Sequence, residues 1–191
     1  MDQYPRFGFP HDEQSGYIKK MDQAVAAYAG KEVLEKAPDL TWVYLQYTDD
    51  MGHSYGEGEE MDLAIQEADR QVGMIWNAVK ERETDFGEEW MVIITTDHGR
   101  GEGGFHHGGQ SEEERATWII SNHQFNEISQ NLPGIVDIFS TLANYLGISI
   151  PKNQTMEIDG VSLLGKAYAS HLKVVLELPS GFINVWVKNL K

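Results

Sequence analysis

The chain contains no cysteine, which excludes both a disulfide framework and a thiolate metal site. Basic residues are scarce. Lys and Arg together number 15 against 30 Asp and Glu, for a formal net charge of -15. A nucleic-acid backbone partner would want a basic face, so that class of partner is not expected. Much of the acid reads as solvated surface, as in Glu57–Glu60 and Glu112–Glu114, and part of it can offset bound cations. No apolar run reaches the length of a membrane helix, so no membrane span is expected. Met1–Pro10 is polar and aromatic and lacks an apolar h-region, so no signal peptide is visible. Internal repeats and low-complexity tracts are also missing. What is present, 191 residues of which 41% are hydrophobic, suits one domain with a real core and a small appendage.

The apolar pattern alternates between two periods. Ile18, Met21, Val25 and Tyr28 share a face at helical spacing, which predicts a helix over Gly16–Lys36 closed by Pro38. Thr41–Tyr47 is a run of β-formers without alternation, as a strand covered on both faces should be. Glu59–Arg82 is the clearest helix, with Met61, Ile65, Ala68, Val72, Ile75 and Val79 as its stripe and Glu59 and Glu60 at its positive end. Trp90–Thr96 and Thr117–Ile120 read as further buried strands. Pro133–Leu146 reads as a helix with proline in its first turn and Gly147 past its end. Two β-like runs, Leu172–Leu178 and Phe182–Val187, flank Pro179-Ser180-Gly181 as a possible hairpin. The alternation of strands and helices predicts an α/β fold, a mostly parallel sheet with helices on both faces. Right-handed crossovers would then bring the loops after Tyr47 and after Thr96 to one sheet edge, where open α/β sheets bind ligands.

Those two loops hold the chemistry. Asp49-Asp50-Met51-Gly52-His53 follows the first run, and Asp97-His98-Gly99 through His106-His107-Gly108-Gly109 follows the second. In Asp49-x-x-x-His53 an oxygen and a nitrogen ligand can converge on one ion if Gly52 bends the backbone. The alternative is a solvated turn with a capping Asp. Asp97 and His98, leaving a strand together, can both reach one metal as the loop turns at Gly99; the alternative is a helix cap beside a surface histidine. Four of the seven histidines (His53, His98, His106 and His107) lie in these stretches. Mixed Asp/His sets are what zinc and similar divalent metals select. His11, His123 and His171 lack such company and read as structural or surface residues. Arg100 reads as a solvated loop arginine, with a substrate contact as the alternative. Asp50 reads as a neighbour of the ligands or a surface residue.

The order of these pieces, a strand, D-x-x-G-H, a helix, a strand, T-D-H-G, a glycine-rich loop and H-G-G, resembles the alkaline phosphatase superfamily. Within it the chain is similar to the type I phosphodiesterase/nucleotide pyrophosphatase branch. Arg115–Ile119, Pro133–Ile138 with Thr141-Leu142, Leu146-Gly147-Ile148 and Asp159–Leu163 resemble later segments of that core, so the resemblance spans roughly Leu40–Lys166. It implies metal-dependent hydrolysis of phosphoric esters of a small-molecule substrate at two divalent ions, zinc first among them, with manganese or another divalent ion as alternatives. Carried over, one metal takes Asp49, His53 and His107, with His106 as the alternative to His107. The other takes Asp97 and His98. By resemblance these five residues are ligands, not general bases, and the compartment is extracytoplasmic.

The resemblance also implies a first-strand aspartate and a Ser or Thr nucleophile at a helix start, upstream of everything matched. No such segment precedes Asp49, so the chain reads as the C-terminal portion of a catalytic domain. Residues 1–166 would be that portion and 167–191 a β-rich extension. Sulfatase or phosphomutase chemistry on the same scaffold is the second enzyme reading. A non-catalytic metal-binding fragment, self-associating through exposed core, is the alternative from another class.

Overall fold

The computed structural model describes residues 16–127, 129, 133–166, 169–177 and 182–189. The chain divides into two compact units. One comprises Met1–Trp90 with His98–Ala116, the other Met91–Asp97 with Thr117–Lys191.

In the first unit, helices α1 (Gly16–Lys36) and α3 (Glu59–Phe86) pack together, and the short helix α2 (Tyr47–Tyr55) lies against α3. Four alanines lie among the buried residues of these helices. Ile18, Ala26, Ala29 and Val33 of α1 are buried, with Ala64, Ala78 and Val79 of α3 and Met51 of α2. A Cβ on Gly30 would come within 3.2 Å of the Met74 carbonyl, a measure of how closely the two helices approach. The buried faces are therefore rotated from the stripes expected. Tyr28 and Ile65 are exposed, while Asp22 and Gln71 are buried. Close helix approach selects Ala and Gly at the contact and leaves larger side chains to flank it. Val33 and Val79, almost fully buried, each contribute about 1.5–3 kcal/mol through burial. Gly87 in the left-handed conformation ends α3, its N–H bonded to the Glu83 carbonyl. Just beyond, Arg82 pairs with Glu88 and donates to the Leu34 carbonyl of α1 at 3.2 Å.

The segment before α2 departs from expectation. Thr41–Gln46 belongs to no strand, and Tyr47 already starts a helix. Leu40, Trp42 and Tyr44 are exposed, Trp42 to 78%. β-propensity describes fit to a half-buried pleated surface, and without a neighbouring strand it forms no ladder.

In the second unit, β1 (Ile93–Thr95) and β2 (Ile119–Ser121) pair antiparallel, with Ile94 opposite Ile120. The small sheet is compatible with part of an α/β fold, but a mostly parallel sheet is not shown. Among the described residues the sheets are two antiparallel pairs, and the fold is mixed helical with little strand. With Thr41–Gln46 outside any ladder, the described residues hold no strand–helix–strand crossover that would impose parallel pairing. Helix α5 (Val136–Tyr145) starts later than Pro133, and Asp137 in its first turn reaches back to accept from Gly134 N at 2.8 Å. Residues 160–163 are strapped to α5. Val161 N donates to Asp137 Oδ1 at 2.7 Å, Leu163 N to Thr141 Oγ1 at 2.9 Å, and Ser140 Oγ to the Gly160 carbonyl at 2.8 Å. Leu163 is fully buried. Strands β3 (Ala169–Glu177) and β4 (Phe182–Asn189) pair antiparallel, with a register irregularity between Ser170 and Lys173. The turn expected at Pro179–Gly181 lies outside the described residues.

Candidate metal centre

The first motif sits on a helix, not in a turn. Asp49 lies in the first turn of α2 and His53 in its last. At i and i+4 they share one face, and His53 Nε2 stands 3.5 Å from Asp49 Oδ2. Two features start α2 here. Asp49 and Asp50 place negative charge at its positive end. Asp22, buried in α1, accepts from the backbone N–H groups of Gln46 and Tyr47 through one oxygen, at 2.8 and 2.7 Å. A distant carboxylate thus does the work of an N-cap. Its burial pushes the Asp22 carboxyl above the ordinary range, against the two backbone bonds that lower it. Asp50 accepts from the Gln46 side chain at 3.1 Å.

Gly52 is needed for space, not for a bend. A Cβ there would lie 2.3 Å from Cζ of Arg100. Arg100, expected to be a solvated loop residue, is instead three-quarters or more covered. It bonds the Asp49 carboxylate, donates to the Asp49 carbonyl at 2.7 Å and to the Gly104 carbonyl at 2.9 Å.

The loop from His98 to Gly109 brings two imidazoles to Asp49. His98 Nε2 lies 3.7 Å and His107 Nε2 3.5 Å from Asp49 Oδ1. The His98 and His107 rings stack at 3.7 Å between centroids, and His107 Nε2 meets His53 Nε2 at 3.0 Å. His106, the neighbour of His107, is exposed, its ring 6.4 Å from that of Phe105. Asp97 is exposed and falls in the second unit. The loop is tied down on its far side by helix α4 (Glu112–Arg115) and its capping box. Glu114 accepts from Gly109 N at 3.0 Å and Ser111 N at 3.3 Å. Those bonds, the Gly109 N–H first and the Ser111 side chain next, hold its carboxyl below the ordinary range. Gly99 passes so close to α4 that a Cβ would be 1.9 Å from the Glu113 carbonyl oxygen.

The donor set fits a divalent metal. Asp49, His98 and His107 each offer a ligand atom, all within 4.8 Å of one another. Four-coordinate zinc at 2.0–2.2 Å from its ligands spaces them roughly 3.3–3.6 Å apart, and the imidazole contacts to Asp49, at 3.5–3.7 Å, lie close to that spacing. The tautomers fit as well. His53 Nδ1 donates to the Phe105 carbonyl at 2.9 Å and His98 Nδ1 to the Gly99 carbonyl at 2.9 Å. Carbonyls accept only, so in the neutral rings both Nε2 atoms carry the lone pair that a metal takes. His98 Nε2 and Asp49 Oδ1 thus face each other as two acceptors.

A half-buried aspartate ringed by imidazoles on a helix and a glycine-rich loop defines a candidate centre for a hydrolytic divalent metal. The type I phosphodiesterase/nucleotide pyrophosphatase family matches residues 3–114, and the chain belongs to that family. Asp49, His53, Asp97, His98 and His107 all lie within the matched span, which also takes in α1 and stops before α5. Neither a curated protein nor a solved structure gives a significant match. No described helix is long and apolar enough to cross a membrane.

Sequence reasoning missed Asp22, and it read Arg100 and Glu114 as solvated. The i, i+4 spacing of Asp49 and His53, behind two acids, was the available signal that α2 is a helix. Nothing local points to Asp22.

Proposed function

We propose that this chain carries part of a metal-dependent phosphoester hydrolase site of phosphodiesterase type, acting on a small-molecule phosphoric ester. The observation that carries the reading is the convergence of Asp49, His53, His98 and His107, together with membership of a phosphodiesterase/nucleotide pyrophosphatase family. Zinc is the ion the N/O donor set favours. Asp49, His53 and His107 form the first ligand set. By the family's pattern His98 would serve a second ion, and its Nε2 lies 3.7 Å from Asp49 Oδ1. When bound there, divalent ions polarise phosphoryl oxygens and neutralise charge building up in an in-line displacement. The chain's own part is to fix geometry. The carbonyls of Phe105 and Gly99 hold two rings in the metal-binding tautomer, and α2 holds Asp49 and His53 on one face.

Among the described residues gathered at Asp49, namely His53, His98, Arg100 and His107, there is no oxygen nucleophile, so slow turnover is expected. The test is release of nitrophenol from aryl phosphodiesters and monoesters after chelation and after zinc or manganese is restored. Turnover that returns with metal and is lost in Asp49→Asn and His107→Ala supports the reading. Turnover indifferent to chelator and to both substitutions overturns it.

A further inference from the structure

We propose that Arg100 is a resident cation at the metal centre, a guanidinium clasp on Asp49 that a divalent ion must displace. The inference rests on the reading that the cluster binds such an ion. Arg100 bonds Asp49 Oδ1, the same oxygen that His98 and His107 face at 3.7 and 3.5 Å. A metal and the guanidinium therefore compete for one atom. Two cations cannot share it without like-charge repulsion, which a half-buried site screens poorly.

The site is shaped for the clasp. Gly52 leaves room for the guanidinium on the face of α2, where any larger residue would meet it. The bonds to the Asp49 and Gly104 carbonyls use the planar fork of an arginine and bridge α2 to the loop that carries His107. Without metal, Arg100 supplies a positive charge beside Asp49 and ties α2 to the loop that carries His107. With metal, Asp49 changes partner while the two carbonyl bonds can retain the guanidinium nearby. The clasp thus holds the centre together at the cost of affinity, and it sets a threshold on the free metal concentration that loads it.

The experiment is zinc titration calorimetry on the whole chain, with thermal melting in chelator and in excess zinc, for the unaltered protein, Arg100→Gln and Arg100→Lys. A charge-assisted hydrogen bond to a carboxylate carries enough free energy that its removal as a competitor is expected to tighten zinc binding about tenfold or more. Arg100→Gln should also melt lower in chelator yet gain more from zinc, a crossing that loss of a merely structural contact does not produce. Arg100→Lys keeps the charge without the fork and should fall between. Zinc binding by Arg100→Gln that is equal to or weaker than the unaltered chain overturns the proposal. Should Arg100→Gln fail to fold, Arg100→Lys decides by the same criterion. If the unaltered chain and both variants bind no zinc, the metal reading itself falls and the clasp with it.

Discussion

Gly52 and Gly99 are both packing glycines, and they differ in what they touch. An added methyl at Gly52 meets the far end of the Arg100 side chain, which can swing away. At Gly99 it meets backbone, with the Glu113 carbonyl oxygen at 1.9 Å and that of Ala116 at 2.8 Å. Gly99→Ala is therefore expected to destabilise by about 1–3 kcal/mol or more, the range for overpacking against atoms that cannot yield. Gly52→Ala sits inside α2, where alanine gains up to about 1 kcal/mol in helix propensity, and should cost far less. Urea unfolding of the two variants tests this, and equal losses would show that Arg100 is not free to move. Both glycines are visible in the sequence beside the motifs, but their reason is not. Spacing suggested turns, whereas the atoms that need the room come from 48 and 14 positions further along the chain.

At the scale of elements, α2 depends on α1. Asp22 is the acceptor for two N–H groups at the start of α2, and leaving such groups without a partner costs about 1–3 kcal/mol. Asp22→Ala should lose about that much and weaken metal binding by loosening Asp49 and His53. Asp22→Asn keeps an acceptor oxygen and should restore most of both. The pH dependence has a definite sign. Burial raises the Asp22 carboxyl above its unfolded value, and the nearby Asp50 charge pushes the same way. The folded state then binds the proton more tightly than the unfolded state. Stability from this group therefore falls as pH rises from the ordinary carboxylate range through the raised value. Asp22→Asn should flatten that slope, and a denaturation series against pH reads it directly. A slope unchanged by the substitution would remove Asp22 as its source.

The same elements show how far the sequence could be read. The helices over Gly16–Lys36 and from Glu59 onward follow from periodicity, and the loop over Gly99–Gly109 from its glycine content. Their buried faces do not, because a contact between Ala26, Ala29 and Gly30 of one helix and Ala64 and Ala78 of the other selects for small residues, not for the most apolar ones. Thr41–Tyr47 reads as a buried strand by composition, yet a strand is defined by its neighbours, and no local pattern reports whether a neighbour is there. The residues gathered at Asp49 were picked out because metal chemistry narrows the choice to Asp and His near glycine, and the same reasoning picked out Asp97, which is exposed. Arg100 and Asp22 were not picked out, since an arginine in a loop and an aspartate in a helix have the same local appearance whether solvated or bonded.

For the whole molecule, the division into two units predicts where metal binding is felt. Asp49, His53, His98 and His107 all belong to the first unit, as do α1 and α3. A ligand that binds only the folded state stabilises it by RT ln(1 + [L]/Kd), about 2.7 kcal/mol at a hundredfold excess over Kd. Hydrogen exchange resolves that gain by region, because units open separately with their own free energies. Zinc is expected to slow exchange most in Tyr47–Tyr55, in residues 98–107 and in the α1 and α3 segments that support them. Residues 119–121 and α5, in the second unit, should change little. His53→Ala should abolish most of the protection in α2 while leaving exchange in α5 as before. Protection spread equally over both units would mean that zinc acts on global opening and not on this centre. Protection confined to the acidic surface at Glu57–Glu60 would place the ion on solvated carboxylates, and the imidazole cluster would then lose its claim to be the metal's site.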